Sequence, residues 1–208
     1  MVATTQITLE DAQTATLDAG KVVVVPASWE EFMEFLPTTN YKVEFVNNQI
    51  IIMGLAKFVH EWLVSRVCWI LINLYEGKAD VFVLGSNLGV SRPEKSHFNP
   101  DITVLKGKPE FYRNSDSIIK NPYLVVEILS KGTASYDWET KLLRYQQMPS
   151  IQEIVFIDPL EKVITTINRT VDPKVWTMGV YDQPTDTVVI DGNTFPHQHF
   201  FQGMPVFE

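Results

Sequence analysis

The segment Tyr123-Leu124-Val125-Val126-Glu127-Ile128-Leu129 constrains this chain more than any other. It is a nearly unbroken apolar run rich in β-branched residues, the pattern of a strand covered on both faces. Such a strand belongs in the interior of a layered α/β fold. Glu127 alone interrupts the run. A carboxylate buried there is costly unless a cation or hydrogen-bond donors compensate it, so Glu127 demands partners from elsewhere in the chain.

Around that strand the sequence predicts a mixture of helices and strands. Ser28-Trp29-Glu30-Glu31 has capping-box spacing and opens an apolar stripe of Trp29, Phe32, Met33, Phe35 and Leu36 that ends at Pro37. Tyr41 to Val46 and Gln49 to Met53 flank Asn47-Asn48, a pair that tolerates positive φ, which predicts a hairpin carrying Glu44. Helical spacing of Val59, Leu63, Val67, Ile70, Leu71 and Leu74 predicts a long buried helix over Ala56 to Tyr75, stopped at Gly77. Val81 to Leu84 reads as a strand that Leu88 to Val90 continues, partnered by Ile102 to Leu105 across the polar stretch Ser91 to Asn99.

Asp137 to Met148 reads as a helix with Lys141 and Tyr145 at successive i, i+4 positions from Asp137. Ile154 to Ile157, Val163 to Ile167, Val175 to Val180 and Thr187 to Ile190 predict four more strands before an irregular tail. Residues 1–27 are expected to be an arm in which Val22 to Val25 adds a short strand, and residues 28–208 a single domain.

Composition narrows the function. With 208 residues, 45% of them hydrophobic, the chain can bury one substantial core. Its single cysteine, Cys68, excludes an internal disulfide framework and a multi-cysteine zinc site, which fits a cytoplasmic setting. No apolar run reaches the roughly 18 residues that span a bilayer, and the first residues lack the pattern of a secretory signal, so no membrane association is expected. A net charge of −8 and a pI near 5.0 argue against a broad nucleic-acid-binding surface. DNA would be met through a local basic patch or a bound metal.

One separated series suits that role: Asn99-Pro100-Asp101 at the entrance to a strand, Glu127 inside one, and Lys141 on a helix. Two carboxylates and an ammonium suffice to hold a divalent cation against a phosphodiester and manage a proton beside it. Mg²⁺, with Mn²⁺ as substitute, is the expected ion, ligated by Asp101 and Glu127 while Lys141 orients water and stabilises developing charge. Glu44 is a third acid in a β-rich segment and His60 can contact phosphate or orient Glu44. Tyr145 shares the Lys141 stripe, and Lys131 follows the Glu127 strand in a loop that can face substrate. The bland readings are a turn at Asp101 and a structural Glu127–Lys141 ion pair. His197-Gln198-His199 lacks a third metal ligand and reads as an exposed tail.

Val43 to Ile50 with His60, Pro100-Asp101-Ile102, Val126 to Ser130, Asp137 to Lys141 with Tyr145, and Ile157-Asp158-Pro159 together resemble the Uma-two family of restriction endonucleases, in the PD-(D/E)XK nuclease superfamily. The resemblance covers roughly residues 28–170. It implies an α/β restriction-endonuclease-like core, a mixed central β-sheet flanked by α-helices with additional β-hairpins, and Mg²⁺ held by Asp101 and Glu127. The superfamily's E-x-K spacing would put lysine at position 129, where this chain has Leu129; the resemblance makes Lys141, on the following helix, the match. The expectation is a Mg²⁺-dependent DNA endonuclease acting as a homodimer. The alternative is an inactive binding or regulatory protein on the same fold.

Overall fold

Glu127 sits in the second of two six-stranded sheets whose facing surfaces share a core. The computed structural model describes residues 7, 9–92 and 94–206. The first elements are α1 (Asp11–Asp18), β1 (Val22–Pro26), α2 (Trp29–Phe35), β2 (Lys42–Val46), β3 (Gln49–Met53) and α3 (Phe58–Tyr75). Then come β4 (Val81–Gly85), β5 (Gly89–Arg92), β6 (Ser96–Phe98), β7 (Ile102–Lys106), β8 (Ile118–Ile119) and β9 (Leu124–Ile128). A helical segment follows: α4 (Ala134–Tyr136), a π-helical turn (Asp137–Lys141) and α5 (Leu142–Gln146). The chain continues with β10 (Glu153–Asp158), β11 (Val163–Arg169), β12 (Trp176–Tyr181), β13 (Thr187–Ile190), β14 (Asn193–Pro196) and α6 (Gln198–Phe201).

The first sheet runs β1-β3-β2-β6-β5-β8 and the second β12-β11-β10-β9-β7-β4; β13 and β14 form a separate hairpin. Both large sheets are mixed, with β5 parallel to β8 and β9 parallel to β10. The alternation of side chains along each strand sorts the core into three. Val43, Phe45, Ile50 and Ile52 face α1 and α2. Leu124, Val126 and Ile128 face α3, α6 and the β13–β14 hairpin. Val46 and Ile51 from one sheet meet Val125, Ile154 and Phe156 from the other around Tyr145 and Met148.

Local chemistry explains the predicted elements that formed. Ser28 Oγ accepts the N–H of Glu31 at 3.2 Å and Glu31 returns a carboxylate oxygen to the N–H of Ser28 at 2.7 Å, closing the capping box of α2. Asn47 and Asn48, at φ of 53° and 57°, make the two-residue β2–β3 turn.

Three expectations change. Gly89–Arg92 does not prolong β4 but joins the first sheet, and the stretch read as a polar loop contains β6. Within the expected arm, the strand at Val22 to Val25 forms as β1, paired along its whole length with β3, and what changes is the added α1, which buries Leu17 fully. The tail is ordered: Ile190-Asp191-Gly192-Asn193 turns with positive φ at both central residues to build β13–β14, and α6 buries Phe200 and Phe201. Among the described residues no helix is long and apolar enough to cross a membrane.

Candidate functional site

The connection Asn99–Asp101 carries the chain from the first sheet to the second, and the candidate site lies at this crossing. The Asn99 N–H donates to Oε1 of Glu44 at 3.1 Å, tying the connection to β2. Two residues later Asp101 enters β7 one position beyond the Ile102–Val126 pair, which sets it opposite Glu127 on β9. Oδ2 of Asp101 accepts the N–H of Ile128 at 2.9 Å and meets Nε2 of His60, from α3, at 3.0 Å. Oδ1 takes the Lys42 ammonium at 2.9 Å.

Glu127 is held from the helical segment. Lys141 Nζ donates to its Oε1 at 3.0 Å and the Tyr145 hydroxyl to the same oxygen at 2.5 Å. Lys141 also lies 3.0 Å from Oε1 of Glu44 and 3.1 Å from Oδ1 of Asp137. A π-helical turn spans Asp137–Lys141 and sets both residues toward the carboxylates; such insertions recur at functional positions. Among the described residues Oε2 of Glu44 and the Tyr136 hydroxyl are buried without a hydrogen-bond partner.

Electrostatics divide the two opposed acids. Burial works to raise Asp101, but the Lys42 ammonium and the His60 hydrogen bond prevail and hold it well below the usual carboxylate range. Burial pushes Glu127 up to about 8 against the pull of Lys141, with Asp101 and Asp137 adding to the rise. Burial would lower Lys141, yet Glu127, Glu44 and Asp137 together raise it well above its ordinary value. His60 is also raised: its contacts with Asp101 outweigh its desolvation.

The sequence-derived residues Asp101, Glu127, Lys141, Glu44, His60 and Tyr145 thus meet in one cluster. Lys131 does not: it is exposed in the loop after β9. His197 is not on an exposed tail; it is buried and its Nε2 lies 2.7 Å from the Lys162 carbonyl oxygen. Lys42 escaped the sequence reading, although its place two residues before Glu44 on a strand puts both on one face. Tyr136 also escaped it.

Comparison with known proteins agrees with this architecture. Residues 29–198 match the family model Uma2, described as "Putative restriction endonuclease". Uncharacterized protein sll1609 of Synechocystis is 30% identical over 129 residues, 62% of this chain and 72% of its own. Uncharacterized protein slr1290 of the same organism is 26% identical over 144 residues, 69% and 74% of the two chains. The crystal structure of "a putative nuclease belonging to DUF820" from Anabaena variabilis superposes with a TM-score of 0.71 at 19% identity, covering 85% of this chain and 98% of that one, so the fold is shared. With the match spanning most of its length, the chain belongs to the Uma2 family.

Proposed function

We propose that this protein is a Mg²⁺-dependent DNA endonuclease that hydrolyses phosphodiester bonds at the Asp101–Glu127 centre. The observation that carries the reading is the placement of Asp101 and Glu127 opposite one another, with the Lys141 ammonium on Glu127.

The residues suit Mg²⁺ rather than a metal that wants an all-protein cage. Among the described residues no three histidine, cysteine or acidic side chains are grouped to hold an ion by themselves. Mg²⁺ asks for less, being anchored by one or two carboxylates with water and substrate phosphate completing the shell. Four carboxylates, Glu44, Asp101, Glu127 and Asp137, gather around two ammonium groups, Lys42 and Lys141, and the His60 imidazole, an acid-rich cluster that a divalent cation would suit. Asp101 and Glu127 would hold the ion, which supplies Lewis acidity to a phosphoryl oxygen and acidifies bound water.

The chain's own groups do the rest. Lys141 orients the attacking water and stabilises charge growing on the phosphoryl oxygens. Tyr145 fixes the Glu127 carboxylate, and His60 and Lys42 fix Asp101. Glu44 assists by holding Lys141. Lys131, exposed in the loop after β9, would contact substrate in this reading. The assembly in this reading is a cytoplasmic homodimer, two centres serving two strands, with exposed Trp69, Ile72 and Phe82 on α3 and β4 as apolar surface.

The test is cleavage of plasmid DNA with Mg²⁺, Mn²⁺ or EDTA by wild type, Asp101→Ala and Glu127→Ala. Metal-dependent cutting lost in both folded variants is expected; cutting that persists in either refutes the assignment. A second reading, an inactive nuclease-fold binding protein, is favoured by the internal neutralisation of Lys141 by three acids. It requires that calorimetric titration find no affinity for Mg²⁺ or Mn²⁺.

A further inference from the structure

We infer that Arg92 and Arg144 form a second phosphate-binding site that anchors the polynucleotide strand beside the scissile phosphodiester. The inference rests on the nuclease reading above and names the substrate as a strand with phosphates on either side of the cut, not an isolated phosphate ester.

Arg92 ends β5 and Arg144 lies on α5, one helical turn after Lys141. Arg92 Nη1 donates to Oε1 of Gln147 at 2.7 Å and Arg144 Nη1 to the same oxygen at 3.3 Å. Arg144 Nη2 donates to Oδ1 of Asn47 at 2.6 Å. Two half-buried guanidinium groups are therefore held side by side by neutral amides, and among the described residues neither has an acid within ion-pair distance. That is unusual in a chain of net charge −8. Arg169 offers the contrast: its guanidinium is occupied by the carbonyls of Ile151, Gln146 and Met148 and rests on Trp176, a structural use that leaves little for a ligand. Convergent guanidinium groups lacking a carboxylate match the planar, multidentate recognition of phosphate.

The pair is linked to the carboxylate centre. Asn47, which Arg144 grips, lines a cavity of about 240 Å³ together with Val46, Ile51, Thr140 and Tyr136. The Tyr136 ring stands 5.6 Å from Lys141 Nζ, so one residue lining the cavity borders the acid cluster and another, Asn47, is held by Arg144. Its apolar lining with an aromatic wall suits the sugar and base faces of a nucleotide, with charge reserved for the two ends, as in strand-binding grooves. This places positive charge where the overall acidity of the chain would otherwise oppose DNA.

The experiment is fluorescence anisotropy of a labelled twelve-nucleotide oligonucleotide, single-stranded and duplex, in EDTA over a range of salt. Wild type, Arg92→Gln/Arg144→Gln and a charge-matched control, Lys78→Gln/Lys174→Gln, are compared after their unfolding curves have been shown to coincide. Affinity is expected to fall about tenfold or more in the arginine variant alone, with the salt slope reduced by about one to two. Unchanged affinity and slope in that variant overturn the anchor while leaving metal-dependent cleavage, and so the nuclease reading, intact. Wild type that neither binds either oligonucleotide nor cuts DNA overturns the nuclease reading and the anchor with it.

Discussion

Asp101 accepts the backbone N–H of Ile128, the neighbour of Glu127, at 2.9 Å, so the position of one acid is set by the strand that carries the other. Side by side, the two are driven apart in proton affinity: Asp101 is held low by Lys42 and His60, Glu127 raised by burial to about 8. Such divergence between adjacent carboxylates is typical of sites that handle charge.

Lys141 supports the fold as well as the proposed chemistry. Lys141→Met leaves Glu127, Glu44 and Asp137 buried without their common cation, and a loss of about 3–5 kcal/mol is expected in denaturant unfolding. Millimolar Mg²⁺ should raise the Tm of this variant more than that of wild type. No Mg²⁺-dependent rise in either protein would remove the case for a cation among these acids.

Glu153 is buried at the other end of the second sheet, where Oε2 accepts the Asp191 N–H at 2.7 Å and Oε1 has no partner among the described residues. Burial pushes its carboxyl up to about 7, against the Asp191 N–H, which lowers it. The folded state thus keeps a proton that the unfolded chain gives up near its ordinary 4.5. The stability this contributes is complete below that value and is lost as pH rises through about 7, amounting to about 3 kcal/mol. Glu153→Gln should therefore stabilise the protein at pH 8 and not at pH 4. A gain of equal size at both values would disprove the linkage.

His97 runs the opposite way. Buried between Gly89 and Phe32, with Nδ1 2.6 Å from Ser91 Oγ, it is lowered by desolvation to about 4. The folded state excludes a proton that the unfolded chain binds below about 6.5, so this contribution is full above that pH and lost as pH falls toward 4. Nitrogen NMR of the ring should show a neutral imidazole at pH 5.5; a charged ring at that pH contradicts the assignment.

A Cβ at Gly54 would lie 2.2 Å from the carbonyl oxygen of Leu17 and 2.7 Å from the Cα of Gly20, both backbone atoms. Gly54→Ala should cost about 1–3 kcal/mol and loosen α1 and β1 from β3, seen as faster amide exchange in Val23 and Val25. Exchange unchanged there would mean that the N-terminal elements do not depend on this close approach.

The centre was legible in the sequence because burial made Glu127 anomalous in an apolar strand and because the i, i+4 spacing put Asp137, Lys141 and Tyr145 on one stripe. Lys42 was equally accessible from the two-residue period with Glu44, but a lysine at the start of a strand carries no anomaly of its own. The division into two sheets was not accessible. Periodicity identifies Gly89–Arg92 as extended chain without naming its partner, and only tertiary pairing sends it to β6 instead of β7. The arginine pair depends on contacts between β5, α5 and the β2–β3 turn, 55 and 97 positions apart in sequence, beyond any local pattern.

The wide turn at Asp137–Lys141 carries one residue more than an ordinary helix would use. Removing a single amino acid there would restore regular winding and shorten the Asp137-to-Lys141 interval that turns both side chains toward the carboxylates. Exposed Glu139 should therefore accept exchange of its side chain, while the stretch as a whole tolerates no change in its length.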